Sequence, residues 1–260
     1  MTGESYAALN HLREGRRQVT VRASGELRDF YERPETPVSA AQDRAARLVA
    51  FLREITAASS GELVIADVGC GDGGITRMAA DAAPGHRVIG MDWAMAPLET
   101  ARAKGLTVMR GTAAHPGLPL ASASVDVVVF SEVIEHLVDP DAAILELHRV
   151  LRPGGHLLLS TPNLAAWFNR GMLALGRQPV FSEVSMARVF GRPGQFVAGH
   201  LRLFTLGALK EFLVAYGFAD LRVRGACYHD VPGPLRPLDR LFRSWPAASA
   251  ILTVHARKPH

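Results

Sequence analysis

Two carboxylates set around a run of glycines carry the plainest chemistry in this chain. The stretch Val64-Ile65-Ala66-Asp67-Val68-Gly69-Cys70-Gly71-Asp72-Gly73-Gly74 ends an apolar run in an acid and follows it with closely spaced glycines. Gly69, Gly71 and Gly74 satisfy the G-x-G-x-x-G spacing of dinucleotide-binding loops. Asp67 separates the possible ligands. A pyrophosphate needs open N–H donors at a helix N-terminus, and a carboxylate in the same turn repels it. S-adenosylmethionine (SAM) carries an ammonium and a sulfonium and no phosphate, so the same acid favours it. Asp92 ends the next apolar run, about 20 residues beyond the glycines, where a carboxylate takes both hydroxyls of a ribose. That contact fits NAD and SAM alike. Trp93 follows directly and can lie against an adenine face or pack at the sheet edge.

A second cluster is Ser131-Glu132-Val133-Ile134-Glu135-His136-Leu137, which closes the apolar run Val125–Phe130. Ionisable groups crowded at the end of a strand point to chemistry. Ser131 and Glu132 are expected to face SAM and His136 the acceptor. A neutral imidazole there can take a hydroxyl proton, or orient it, as the methyl group moves. The alternative is that Glu135 and His136 cap the next turn and hydrogen-bond locally.

Strands and helices must alternate to hold these residues. Leu63–Val68, Val88–Asp92, Leu106–Met109, Val125–Phe130, His156–Ser160, Leu221–Ala226 and Ile251–Ala256 read as strands. Helices fit at Val38–Ile55, with Ser39 as N-cap, and at Ile75–Ala83, Pro97–Ala103, Asp141–Leu151 and Thr205–Tyr216. Alternation of this kind makes an α/β fold with a mostly parallel sheet and right-handed crossovers. Residues 1–37 read as an irregular N-terminal arm, and 38–260 as a single domain. Within it, 162–200 leaves the fifth strand as an acceptor-side insertion or lid. A proline-rich link joins the last two strands.

Composition narrows the class. The 260 residues are 48% hydrophobic and 21% charged, enough for one sizeable core. No run of apolar residues is long enough to span a membrane, and no secretory signal opens the chain, so a cytoplasmic location is expected. Two cysteines, Cys70 and Cys227, make no disulfide framework or metal knuckle. A net charge of +4 is mild and fits a solvated arginine surface, so nucleic acid is not the expected partner.

Taken with Leu118-Pro119-Leu120, Ser124-Val125-Asp126 and Leu151-Arg152-Pro153-Gly154-Gly155, the glycine loop resembles the motifs of class I SAM-dependent methyltransferases. The likeness is to the type 11/12 kind, including ubiquinone O-methyltransferases and MetW-like proteins of methionine biosynthesis. It implies a Rossmann-like sheet of seven strands, the last antiparallel, with helices on both faces. It further implies that Asp67, Gly69, Cys70 and Gly71 hold the methionine end of SAM, and that Asp92 holds the ribose. Trp93 and Thr112 would edge the adenine, although many relatives carry an acid at the position of Thr112. The Leu151–Gly155 run reads as a turn aiming the fifth strand.

The resemblance also bears on metal. Glu132, Glu135, His136 and His200 resemble the Mg²⁺ ligands of ubiquinone O-methyltransferases and of enzymes methylating small-RNA 3′ ends. Two oxygens and two nitrogens suit Mg²⁺ poorly, so the site is read without a metal. The expected activity is transfer of a methyl group to a small-molecule acceptor, at a hydroxyl oxygen, with Glu135, His136, Trp167 and His200 lining the acceptor side. The rivals are an RNA 2′-O-methyltransferase and a MetW-like partner protein.

Overall fold

The computed structural model describes residues 42–114, 117–194 and 197–260. The expected arm over 1–37, and the helix start at Val38 with its Ser39 cap, lie outside the described residues. In chain order the elements are α1 (Gln42–Ala57), β1 (Val64–Val68), α2 (Gly74–Ala82), β2 (Arg87–Asp92), α3 (Met95–Ala103), β3 (Val108–Arg110) and β4 (Val125–Ser131). They continue with α4 (Pro140–Val150), β5 (Leu151–Pro162), α5 (Trp167–Ala174), α6 (Leu206–Ala215), β6 (Ala219–Ala226), α7 (Arg236–Arg243) and β7 (Ile251–Arg257).

The strands form one sheet in the order β3-β2-β1-β4-β5-β7-β6. β1 to β5 pair in parallel, and β7 enters antiparallel between β5 and β6. β4 is apolar on both faces because helices cover both. Val127 and Val129 pack with Leu158 against Leu48, Phe51 and Leu52 of α1. Val128 and Phe130 pack on the opposite face against Ile144 and Leu147 of α4 and Leu209 and Leu213 of α6. The helical spacing of Ala45, Leu48, Val49, Leu52 and Ile55 is the buried stripe of α1. α4 starts with Asp139 accepting from the Ala142 N–H at 3.0 Å and with Pro140 in its first turn.

Three features depart from the pattern read in the sequence. The Leu151–Gly155 run is extended chain continuous with β5, and the register slips from Val125↔Leu151 to Val127↔His156. Gly154, at φ 77°, makes this bulge possible, and its N–H donates to the Lys258 carbonyl at 2.9 Å. The proline-rich link contains α7, with Pro237 in the first turn, where a missing N–H costs nothing. The region 164–200 likewise contains α5. No helix among the described residues is long and apolar enough to cross a membrane.

Between β5 and β7, His156 Nδ1 and His255 Nε2 meet at 2.9 Å, and the His255 ring lies 5.5 Å from Phe51. Burial, and next the neighbouring His156, push the pKa of His255 down to about 4. The folded imidazole stays neutral, while in the unfolded chain it protonates near 6.5. Its contribution to stability is therefore complete above about pH 6.5 and falls as pH drops toward 4, by roughly 2 kcal/mol. Denaturant titrations across this range should give a shallower pH slope for His255→Phe than for the parent. Coincident slopes would remove His255 from the acid response.

Candidate active site at the carboxyl edge of the sheet

Strand order reverses between β1 and β4, so the connections from these strands diverge and open a crevice at their carboxyl ends. Asp67 of β1 and Asp92 of β2 stand here. Asp67 is 1% exposed, and its Oδ2 accepts from the Thr76 hydroxyl at 2.6 Å. Burial pushes its pKa up to about 7, against the Thr76 bond, with Asp92 adding to the rise. Asp92 accepts from the N–H groups of Gly71 at 2.8 Å and Ala94 at 3.0 Å, and burial raises its pKa too. Neither carboxylate has an ion-pair partner among the described residues.

The loop amides are already committed. Gly69 and Cys70 both donate to the Met91 carbonyl, at 2.7 and 2.9 Å, and Gly73 donates to the Cys70 carbonyl at 3.0 Å. Gly71 donates to Asp92, and Gly74 to Asp72 Oδ1 at 3.2 Å. Asp72 also pairs with Lys104 at 2.9 Å, so an acid already sits at the start of α2. A pyrophosphate would meet three acids here, Asp67, Asp72 and Asp92, and glycine amides that already have acceptors. The loop offers carboxylates, which suit a cation.

The individual residues sort out further. Gly69 has φ 79°, and a Cβ there would run into the Val133 side chain, so packing against the segment after β4 requires this glycine. Cys70 is buried against Gly90, its thiol pKa raised by burial, which leaves only its backbone to a ligand. Trp93 is half-buried, and its carbonyl accepts from Arg110 Nε at 3.0 Å. The Thr112 hydroxyl accepts from the Ala114 N–H at 3.1 Å. Ser131 is turned into the sheet and donates to Ser160 at 2.8 Å, since Ser160 itself donates to Glu132 at 2.9 Å. Glu132, at φ 53°, pairs with Arg44 of α1 at 2.9 Å.

Beyond β4, a short 3₁₀ turn over Ile134–His136 aims Glu135 and His136 inward. Glu135 is fully buried. Its Oε2 accepts from the Thr161 hydroxyl at 3.1 Å, and its Oε1 has no hydrogen-bond partner among the described residues. Burial, and next the charge of Glu132, hold its carboxyl well above the usual range. The imidazole of His136 meets the Gly199 carbonyl through Nδ1 at 3.2 Å, and its Nε2 lies 3.9 Å from Glu135 Oε1. His200 meets the Phe181 carbonyl through Nδ1 at 2.9 Å. A carbonyl only accepts, so both Nδ1 atoms carry the proton and both Nε2 atoms present lone pairs. The two rings lie 4.9 Å apart. Burial, and next His200, push the pKa of His136 down to about 3.

The ligand atoms of Glu135, His136 and His200 all lie within 4.8 Å of one another. Two nitrogens and one oxygen do not fit Mg²⁺, which wants mostly oxygen; they match the donor preference of a transition ion. Glu132, committed to Arg44 and Ser160, stands outside this cluster. The Trp167 indole N–H donates to Asp239 at 2.9 Å. The aromatic ring that reaches His200 is Phe181, at 6.3 Å.

Sequence reasoning missed Glu183. Its carboxylate accepts from the N–H groups of Ala198, Gly199 and His200 at 2.6, 2.6 and 2.9 Å, and it pairs with Arg192 at 3.0 Å. The available signal was an acid standing alone in a segment otherwise free of acids.

Residues 66–159 match the model of the methyltransferase domain family. A probable SAM-dependent methyltransferase of Mycolicibacterium smegmatis is 46% identical over 101 residues, which is 38% of each chain. A ubiquinone biosynthesis O-methyltransferase of Proteus mirabilis is 31% identical over 151 residues, covering 52% of this chain and 57% of that protein. The chain spans about half the length of the curated relatives it matches, or less. Phosphoethanolamine N-methyltransferase 2 of Haemonchus contortus, solved in complex with SAM, superposes with a TM-score of 0.56 at 17% identity. That overlap covers 83% of this chain and 53% of the other. Residues 66–159 thus form a methyltransferase domain, and the sheet around them is that of the class I SAM-dependent methyltransferases.

Replacing Glu183 by Ala should speed hydrogen exchange at the amides of Ala198, Gly199 and His200 by at least about tenfold, because each loses its acceptor. Exchange measured by NMR at an unchanged rate would deny Glu183 this anchoring role.

Proposed function

We propose that the chain transfers the methyl group of SAM to a small-molecule acceptor, at a hydroxyl oxygen. The observation that carries the cofactor is the pair of acids at the loop: the buried Asp67 and the half-buried Asp92 stand without cations among the described residues, while all five glycine and cysteine amides from Gly69 to Gly74 are bonded within the protein. Asp67 would meet the ammonium, Asp92 the ribose hydroxyls, and Trp93 and Thr112 the adenine. Gly69, Cys70 and Gly71 would contribute backbone, and Ser131 a wall of the crevice. The unit 38–260 would act as one domain, with 162–200 as its acceptor-side lid.

SAM supplies a methyl carbon already activated on a sulfonium. With SAM bound, an acceptor oxygen would displace it in line, the new C–O bond forming as the C–S bond breaks and the oxygen's proton then passing to His136 Nε2 or water, so alignment is the main demand on the protein. His136 is neutral, and its Nε2 lone pair can accept the hydroxyl hydrogen. So weak a base orients the hydroxyl better than it removes a proton before transfer. His200 and Glu135 complete the polar wall, and Phe181, Phe168 and Tyr228 form an aromatic one beside it. The likeness to an O-methyltransferase of Proteus mirabilis favours oxygen as the acceptor atom.

Calorimetry should register SAM and S-adenosylhomocysteine but not NAD. Asp67→Ala and Asp92→Ala should each weaken SAM by roughly 1.5–3 kcal/mol. Because Asp67 titrates near 7, SAM should bind less tightly at pH 6 than at pH 8 and release a proton on binding at the lower value. Tight NAD binding, or no SAM binding, would end the cofactor assignment.

With an acceptor found by screening catechols, sugars, carboxylates and RNA ends for SAM consumption, His136→Ala should lower kcat by about 10²–10⁴-fold and leave SAM affinity unchanged. A His136→Ala enzyme with normal turnover would remove this residue from the mechanism. An RNA end as sole acceptor would favour RNA methylation, and SAM binding without any acceptor would favour a partner protein. Activity lost to EDTA, restored by a transition ion and absent in His200→Ala would assign the histidines as ligands.

A further inference from the structure

Exposed apolar side chains gather in two places. Nine of the twelve large hydrophobic side chains exposed among the described residues fall in segments 173–190 and 235–245. Leu173 and Leu175 are 56% and 78% exposed in the first, and Leu241 and Trp245 are 68% and 58% exposed in the second. One segment follows β5 and the other β6, strands that point the same way, so both leave the edge of the sheet that holds the candidate active site. The segments touch where Trp167 of α5 stacks on Phe242 of α7 at 5.7 Å. Ring contacts continue from Trp167 to Phe168 at 5.4 Å, to Phe181 at 5.6 Å and to His200 at 6.3 Å.

Helix α7 is inside out. Leu238 and Leu241 of α7, and Trp245 two residues past its end, recur at helical spacing, the pattern of a buried stripe. The opposite side is the buried one. Asp239, 3% exposed, accepts from the Trp167 indole and from the Tyr228 N–H at 3.0 Å, and Arg243 pairs with Asp43 of α1 at 3.2 Å. These bonds hold the polar side against the body and turn the apolar stripe to the surface.

Charge identifies what covers it. Glu183 and Asp239, the acids within 164–194 and 231–249, both face inward, and one exposed acid, Asp230, stands at the border. Arg170, Arg177, Arg188, Arg236 and Arg240 are all exposed there. Leucines and a tryptophan with five exposed arginines against a single exposed acid match an anionic lipid surface: apolar tips enter the headgroup layer and arginines meet phosphates. A second copy of the chain would set arginine against arginine across a two-fold interface. A nucleic acid strand would call for open aromatic faces to stack on, where this surface offers mainly aliphatic side chains.

We propose that this edge docks on an anionic membrane surface, with α7 and the end of α5 lying in the headgroup layer. The inference is independent of which acceptor the site takes. The test is cosedimentation of the full-length protein with vesicles of phosphatidylcholine alone, or of phosphatidylcholine and phosphatidylglycerol in equal parts. Binding is expected to the mixed vesicles and far more weakly to the neutral ones. Arg236→Gln with Arg240→Gln should weaken it by about fivefold per charge. Leu241→Ser with Trp245→Ser changes no charge and should weaken it at least about tenfold. SAM affinity and Tm, measured on every variant, should match the parent, and Leu241→Ala with Trp245→Phe gives a milder pair should the serines unfold the helix. No binding to mixed vesicles by the parent overturns the proposal. So does unchanged binding by a folded apolar variant, or self-association that the apolar variant abolishes.

Discussion

The carbonyl of Met91, accepting from both Gly69 and Cys70, is the contact on which the rest of this site depends. It ties the end of β1 to the end of β2 and fixes the glycine loop between them. Asp92, one residue on, then reaches the Gly71 amide. Asp67 is held by Thr76 from the first turn of α2. A loop closed on itself this way spends its glycine amides internally and keeps two desolvated carboxylates facing the crevice. Electrostatics makes such a site receptive to a cation and hostile to a dinucleotide.

The acceptor side is built on the opposite plan. Little in it is held by its own strand. Glu132 is pinned by Arg44 of α1, and the imidazoles of His136 and His200 are oriented by carbonyls of the segment that crosses over the crevice. Glu183 in turn fixes that segment by gathering three consecutive amides. On the function proposed, cofactor binding would rest on the rigid sheet and acceptor recognition on the segment after β5. One sheet can thus serve many acceptors.

Both the crevice and the outward apolar stripe of α7 lie at the same edge, joined through Trp167 and the ring contacts beneath it. Aromatic packing there links the region after β5 with the region after β6, which are distant in the chain. The buried Asp239 is the hinge of this arrangement, because one carboxylate satisfies the Trp167 indole and the Tyr228 amide together.

The sequence by itself determined what is local. The alternation of apolar runs and helical stripes was enough to name seven strands, and glycines followed by a helix were enough to place the loop beside Asp67 and Asp92. Such features depend on neighbours a few residues away, and covering both faces of a parallel sheet leaves a strong apolar signal. The tertiary structure decided everything that joins distant segments. It paired His136 with His200, chose their tautomers through two carbonyls, and took Glu132 out of the cluster by giving it Arg44. It set the Trp167 indole against Asp239 and Phe242 of α7 and brought Phe181 to His200. It turned α7 apolar side out, against its own periodicity. None of these follows from spacing, since backbone carbonyls look alike in a sequence, and only packing reveals which side chain each one meets.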